Sequence, residues 1–539
     1  MSTPAEQLQE AGYYRDLNDY IDALDRAGKL VRISHPINKD TEMHPLVRLQ
    51  FRGLPESERK AFLFDNIHDA KGRKFDMPLV LCAMAGSSDI YALGLKTTVD
   101  QIPQIWKRAQ ANPIAPRVVD SGPVHERVLR GNELKTLCLS RLPMPISTPG
   151  FDNAPYTTAS HWVSMDPDTG LHNVGNYRGM LKSEHRIGVY PASPGFGMRR
   201  HIEMWRERGH ERMPAAIVIG VPPSVSYTAV TRLPNDVCEY DVAGGLAGEA
   251  LDLVKCQTSD LLVPAMAQIV VEGTVAVSEQ EMEGPFGEFP GYMAARDYSW
   301  FMDVECITMR EAPVYQAFLS QFPPSESSKI RGIGWTAAAK QHLADGGFDG
   351  VLDLHLPEES GSFGVCLVRL ARERDYKAMD LLEHLAKKFI GKTAIAVDED
   401  VDIHEPGAIY WALSFSMQPY RDVKVVDIPL MPLDPSIAPP GANRGLGDGE
   451  DKPRMSGLLI DATRDWDYPP VSLPRREFME RAIELWQELG LPELKLRNPW
   501  HGYELGHWSD EERDEARLAA AGDYFKTGEK QRNQRRRLK

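Results

Sequence analysis

The chain has 539 residues and a formal net charge of -15, with 42% hydrophobic and 26% charged residues. That length allows roughly two to four domains around a large core, and the acidic balance disfavours nucleic acid, whose phosphates would be repelled. It leaves room for an anionic small-molecule substrate, which meets only the Arg or Lys side chains of its own pocket.

The first residues, Met1 to Arg15, are polar and partly acidic, without the basic-then-apolar order of a secretory signal. Leu17, Tyr20, Ile21 and Leu24 then recur at helical spacing, with Asp16 to cap and Gly28 to end the helix, and Leu30–Ile33 follows as a strand. The stretch Leu142 to Pro155 holds Pro143, Pro145, Pro149 and Pro155 and reads as an ordered connection. From about Thr158 to Tyr315, short apolar runs alternate with Gly and Pro, the pattern of an antiparallel sheet or barrel. A helical insertion is expected around Met198–Arg208, with Ile202 and Trp205 on one face. Leu246–Val254 also reads as helix-like.

After about Lys329 the pattern returns to α/β. Asp375–Phe389 is amphipathic, Ala394–Val397 is a short strand and Ile409–Phe415 is a further apolar run. Phe478–Leu489 is strongly amphipathic, closed by Gly490 and Pro492, with an apolar stripe for the core or for a second subunit. Gly528–Lys539 is a basic segment expected to be solvated and disordered. The six cysteines, Cys82, Cys138, Cys238, Cys256, Cys306 and Cys366, form no CxxC pair and read as buried reduced thiols. The apolar stretches Ala215–Val221 and Leu261–Val271 are too short to span a membrane. A cytoplasmic protein is expected. Phosphate-loop, nucleophile-elbow and zincin motifs are absent, and Gly-rich Gly441–Gly449 lacks the strand-then-helix setting of dinucleotide binding.

Three segments carry chemistry. In Glu283-Gly-Pro-Phe-Gly-Glu288 an uninterrupted strand would send two carboxylates five residues apart to opposite faces; Gly284, Pro285 and Gly287 break it and can re-aim both toward one cavity. Two such carboxylates in a partly dry site repel, which favours one neutral acid able to give a proton; a solvated surface turn is the competing account. In Asn173-Val-Gly-Asn-Tyr-Arg178 a bend at Gly175 would bring Arg178 to the side of Asn173. Its planar fork suits a substrate carboxylate or a catalytic Glu; taken alone, an Arg beside a Tyr is more often a structural ion pair. In Cys238-Glu239-Tyr240-Asp241 a carboxylate, joined by Asn173 and His201, would give an O/N/O donor set for Mn2+ or Mg2+.

Together, Asn173, Arg178, His201, Glu239, Glu283 and Glu288 occur in the order and local contexts of the UbiD-type decarboxylases, including the ferulic-acid decarboxylases, which the chain resembles over nearly its whole length. Ser226–Pro234, Ile269-Val-Val-Glu-Gly273 and Ile460-Asp-Ala-Thr463 extend the resemblance. It implies an α+β or α/β protein of three domains: residues 1–125 an N-terminal α/β domain, 126–330 a central split β-barrel resembling flavin reductases, and 331–539 a C-terminal α/β domain with an oligomerisation helix and the basic tail. It further implies prenylated FMN supplied by a flavin prenyltransferase, with Asn173, His201 and Glu239 holding Mn2+ (or Mg2+) against the cofactor phosphate. K+ would sit near Ala229–Thr231, Arg178, Glu283 and Glu288 would be catalytic, and Lys452 or Arg454 would be a late basic cofactor contact. The expected substrate is an aromatic, heteroaromatic or α,β-unsaturated acid and the expected assembly a homodimer or larger. An FMN-dependent reductase on the same barrel and a non-catalytic scaffold are the competing classes. The acidic run Val397–Asp402 lacks EF-hand spacing and reads as a structural turn.

Overall fold

A computed structural model describes residues 12–538 except 192, 194, 389–390, 432, 440–452 and 503–505. These fall into two compact units, one running to Gln341 and joined by Leu356–Gly364 and Pro429–Met455, the other made of His342–His355, Val365–Ile428 and the chain from Ser456 on.

The first unit opens as the sequence predicts. Helix Leu17–Arg26 is capped by the Asp16 carboxylate, which accepts from the Asp19 N–H, and buries Leu17, Tyr20, Ile21 and Leu24. Gly28 takes φ 67° to leave it, and strand Leu30–Ile33 follows. That strand lies in a four-stranded sheet with Ala61–Phe64, Leu79–Leu81 and, from far along the chain, Tyr315–Ala317.

A nine-stranded antiparallel sheet forms the rest of this unit's frame. Its hydrogen-bonded path begins at His172–Asn176 and runs through His161–Met165, Arg212–Ile219, Ile269–Ala276, Phe301–Met309, Arg186–Gly188 and Gly179–Ser183 to Tyr156–Thr157. Flat, the seven strands from His172–Asn176 to Gly179–Ser183 would hold those two about 28 Å apart. Yet the chain passes from the end strand, at Asn176, to the last strand but one, at Gly179, through only Tyr177 and Arg178, a reach of about 11 Å. The sheet therefore curls on itself, and Tyr177–Arg178 bridges its seam. A register shift at Glu272–Gly273 marks a bulge against Phe301–Met309; a Cβ at Gly273 would overlap the Asp303 carbonyl, so only glycine fits this close approach.

The helical insertion is present as Gly197–Glu207, with Met198, His201 and Ile202 buried. The helix-like reading of Leu246–Val254 is corrected: the helix is Glu239–Ala247, ended by Gly248 at φ 77°, and Asp252–Lys255 is a strand. Gly248 supplies the left-handed exit that stops the helix there.

In the second unit a five-stranded sheet is ordered Val351–His355, Val365–Leu370, Thr393–Asp398, Ser456–Ala462, Val423–Asp427. The central three strands are parallel, and helix Ala378–Ala386 buries Leu381, Leu382 and Leu385. The Ile409–Phe415 run lies within helix Pro406–Phe415. In the acidic turn, Arg464 Nε donates to Asp398 at 2.8 Å and its Nη2 pairs with Asp400, which gives the run a structural role. Helix Arg476–Glu488 buries no residue, leaving Phe478 and Leu485 exposed. The expected disorder of the basic tail is corrected in its first part. Tyr524–Arg532 is a helix, held by Lys530 Nζ at 2.5 Å from Glu511. All six cysteines are buried and unpaired. Among the described residues no helix is long and apolar enough to cross a membrane.

Candidate active site

The strand break foreseen in the Glu-Gly-Pro-Phe-Gly-Glu segment is real. Glu281–Glu283 pairs with Asp297–Ser299, and Phe286–Gly287 pairs with a different strand, Met293–Ala294. Between them Gly284 adopts φ 87°, open to glycine at little cost. The turn brings both carboxylates to one guanidinium. Arg178 Nε and Nη2 donate to Glu283 at 3.0 and 2.5 Å, and its Nη1 donates to Glu288. Glu283 is wholly buried, whereas Glu288 keeps a partly open side chain.

Arg178 is aimed from below by the seam. The preceding Tyr177 carbonyl accepts from Ser160 Oγ at 2.7 Å and from Trp162 Nε1 at 2.9 Å. The bend expected at Gly175 is corrected: the strand runs through Gly175 to Asn176 and breaks at Tyr177–Arg178. Glycine at 175 serves instead to admit the Tyr177 ring, which a Cβ would overlap. Tyr190 lies over the guanidinium at 4.1 Å and Phe286 at 5.4 Å, a geometry favourable to a cation. Burial alone would favour loss of the Arg178 proton, but Glu288 and Glu283 outweigh it and hold the side chain charged. Burial pushes Asp152, which feels the same guanidinium, up to about 6.

Asn173, His201 and Glu239 converge on the neighbouring strand. Asn173 stands opposite Ser164, whose Oγ is 2.9 Å from His201 Nδ1, leaving Nε2 for another ligand. Glu239 Oε2 accepts from the N–H of Val174 at 2.8 Å. The Asn173 amide oxygen abuts Gly197, where a Cβ would overlap it, and His201 lies one turn along the same helix face. Asn173 Nδ2 is buried without a partner. Burial lowers His201 to about 4, so the ring is neutral and can ligate, and raises Glu239 to about 7, a penalty a cation would relieve. The donors fit a divalent ion that favours oxygen with one imidazole. Among the described residues no three His, Cys, Asp or Glu side chains gather as a metal site; the set here needs the Asn amide as its third member. Lys452 lies outside the described residues.

Sequence reasoning missed Tyr190, which no motif marks, and Arg331. The guanidinium of Arg331 lies 3.8 Å from the ring of Phe289, next to Glu288. Its signal was present: Arg331 is the one charge in the run Ile330–Ala339.

Two family models match this chain: the 3-octaprenyl-4-hydroxybenzoate carboxy-lyase Rift-related domain over residues 117–322 and the C-terminal domain of the same family over residues 333–462. Among solved structures, the UbiD-class enzyme HmfF from Pelotomaculum thermopropionicum, in complex with FMN, is 26% identical, with TM-score 0.71 over 83% of this chain and 94% of that one. An evolved dimeric form of HmfF in complex with prFMN is 25% identical, with TM-score 0.71 over 86% and 97%. The vanillic acid decarboxylase of Sedimentibacter hydroxybenzoicus, in closed form, is 25% identical, with TM-score 0.72 over 88% and 100%. The chain belongs to the UbiD family of carboxy-lyases.

Proposed function

We propose that this protein catalyses the reversible, non-oxidative decarboxylation of an aromatic, heteroaromatic or α,β-unsaturated carboxylic acid with prenylated FMN. The observation that carries the reading is a single guanidinium gripped by one buried and one partly open carboxylate, reached through a two-residue seam. Bound prenylated FMN would supply the electron sink that an aromatic or vinylic carbanion needs. The chain's own residues do the rest. Arg178 orients the substrate carboxylate, Glu283 fixes Arg178, and Glu288, the more accessible acid, gives a proton to carbon once CO2 has left.

Asn173, His201 and Glu239 would hold Mn2+ or Mg2+ against the cofactor phosphate, with K+ on backbone oxygens near Ala229–Thr231. The same reading takes the chain as three domains (1–125, 126–330 and 331–539), the middle one a split barrel. It is a cytoplasmic homo-oligomer that receives its cofactor from a flavin prenyltransferase.

The test is a panel of acids offered to cofactor-loaded protein, following CO2 release and deuterium uptake from D2O. Glu288→Gln and Arg178→Ala should keep cofactor and lose turnover by orders of magnitude. Wild-type rates in either variant overturn the assigned roles. Bleaching of the flavin by NAD(P)H, with no CO2 from any acid, would favour the reductase class instead.

A further inference from the structure

An acid approaching Arg178 meets a charge problem. With Glu283 and Glu288 both ionised the trio carries one net negative charge, and with Glu288 protonated it is neutral. In neither state does it attract a carboxylate. Arg178 has also committed three of its five N–H donors to the two glutamates.

One cation beside the trio is uncommitted. Arg331, on helix Glu326–Asp345, has its guanidinium over the Phe289 ring at 3.8 Å, with its Nε buried and unpartnered. Among the described residues it makes no ion pair or hydrogen bond. Its neighbour on the same helix shows what a structural cation does here: Lys329 pairs with Glu56 at 2.8 Å and with Glu358. Burial lowers the Arg331 pKa and only the Glu288 charge opposes this, as expected of a guanidinium that lacks a close anion. One turn on, Trp335 meets Phe363 edge-to-face at 5.0 Å, and Phe363 meets Phe289 at 6.3 Å. The guanidinium thus stands beside an aromatic cluster with its donors unspent, as a planar anion would need.

We propose that Arg331 binds the substrate carboxylate, so that it supplies the attraction for an aromatic acid and Arg178 only aligns it. This rests on the decarboxylase reading. With the acid bound and Glu288 protonated, two guanidinium charges balance Glu283 and the substrate, and the complex is neutral.

The experiment compares holoenzyme carrying Arg331→Gln or Arg331→Lys with wild type, measuring binding of benzoate and cinnamate against benzamide and cinnamamide by calorimetry. Flavin content and the thermal midpoint are recorded for each protein. Arg331→Gln should weaken the carboxylates about 10- to 100-fold, the range of a lost charge-assisted bond, and move the amides less than about twofold. Arg331→Lys, which keeps the charge without the fork, should fall between and serves if the Gln variant does not fold. For any acid that turns over, KM should rise in proportion while kcat holds within about threefold.

Equal affinity in wild type and variants overturns the proposal, as does a wild type with no preference for acid over amide. So does parallel loss of acid and amide, which would mean packing on Phe289, or loss of flavin, which would assign the guanidinium to the cofactor. If wild type releases no CO2 from any acid while the acid-over-amide contrast still depends on Arg331, the decarboxylase reading fails and the carboxylate site stands.

Discussion

The two glutamates at Arg178 differ in how much the fold depends on them. Glu283 is fully buried and takes two of the guanidinium's donors, so Arg178→Ala would strand a carboxylate in the interior. Breaking a buried pair from one side costs about 3–5 kcal/mol, and urea denaturation of Arg178→Ala should show a loss of that size. Glu288 is partly open, and a glutamine there can still accept from Arg178. Glu288→Gln should unfold within about 1 kcal/mol of wild type while CO2 release is lost. Similar stability losses in both variants would contradict the assignment of Glu283 as the holding group and Glu288 as the working one. Both residues were legible in the sequence, because glycine and proline between two acids announce a re-aimed strand. Tyr190 was not: its stacking on Arg178 depends on a sheet pairing that no local pattern encodes.

At the scale of elements, the start of helix Gly197–Glu207 is where the fold meets the proposed metal set. The Asn173 amide lies so close to Gly197 that one methyl group would displace it. Because the displaced atom is the end of a short side chain, Gly197→Ala should fold normally, with a thermal midpoint within a few degrees of wild type. The amide would swing aside and the proposed metal would lose a donor. Titration with Mn2+ should then show at least about tenfold weaker binding, and unchanged binding would remove Asn173 from the set. Helices and strands with strong periodicity, such as Leu17–Arg26 and the strand after it, were readable from side-chain spacing and caps. The Leu246–Val254 segment was misread because its apolar residues suit a helix or a buried strand alike. Only the left-handed turn at Gly248 decides between them. The tail helix was missed because its partners, Glu511 and Glu515, lie in another helix.

At the scale of the molecule, buried histidines lower stability toward acid. Burial holds His44 near 4 and His161 near 3. As pH falls below about 6.5 the unfolded chain takes up protons that the folded chain refuses. Each residue therefore removes about 1.4 kcal/mol of stability per pH unit until its folded pKa is reached. Burial also holds Glu239 and Glu326 up at about 7, and these carboxyls add stability as pH falls, so the histidine shows as a difference. Between about pH 6.5 and pH 5, urea denaturation should show wild type losing about 1.4 kcal/mol per pH unit more than His44→Gln; equal slopes would contradict the assignment. The sheet's curl could not be read from the sequence, since alternating apolar runs describe strands but not which of them are neighbours.

The crossing at Tyr177–Arg178 makes a clasp of the residue proposed to align the substrate. The side chain gripping two acids is also one of two residues tying the first strand of the sheet to the last but one, so a loosened join slackens the grip before any ladder comes apart. In mild urea, turnover should fade ahead of the far-ultraviolet signal, and the two should vanish together only if the clasp is as firm as the strands it fastens.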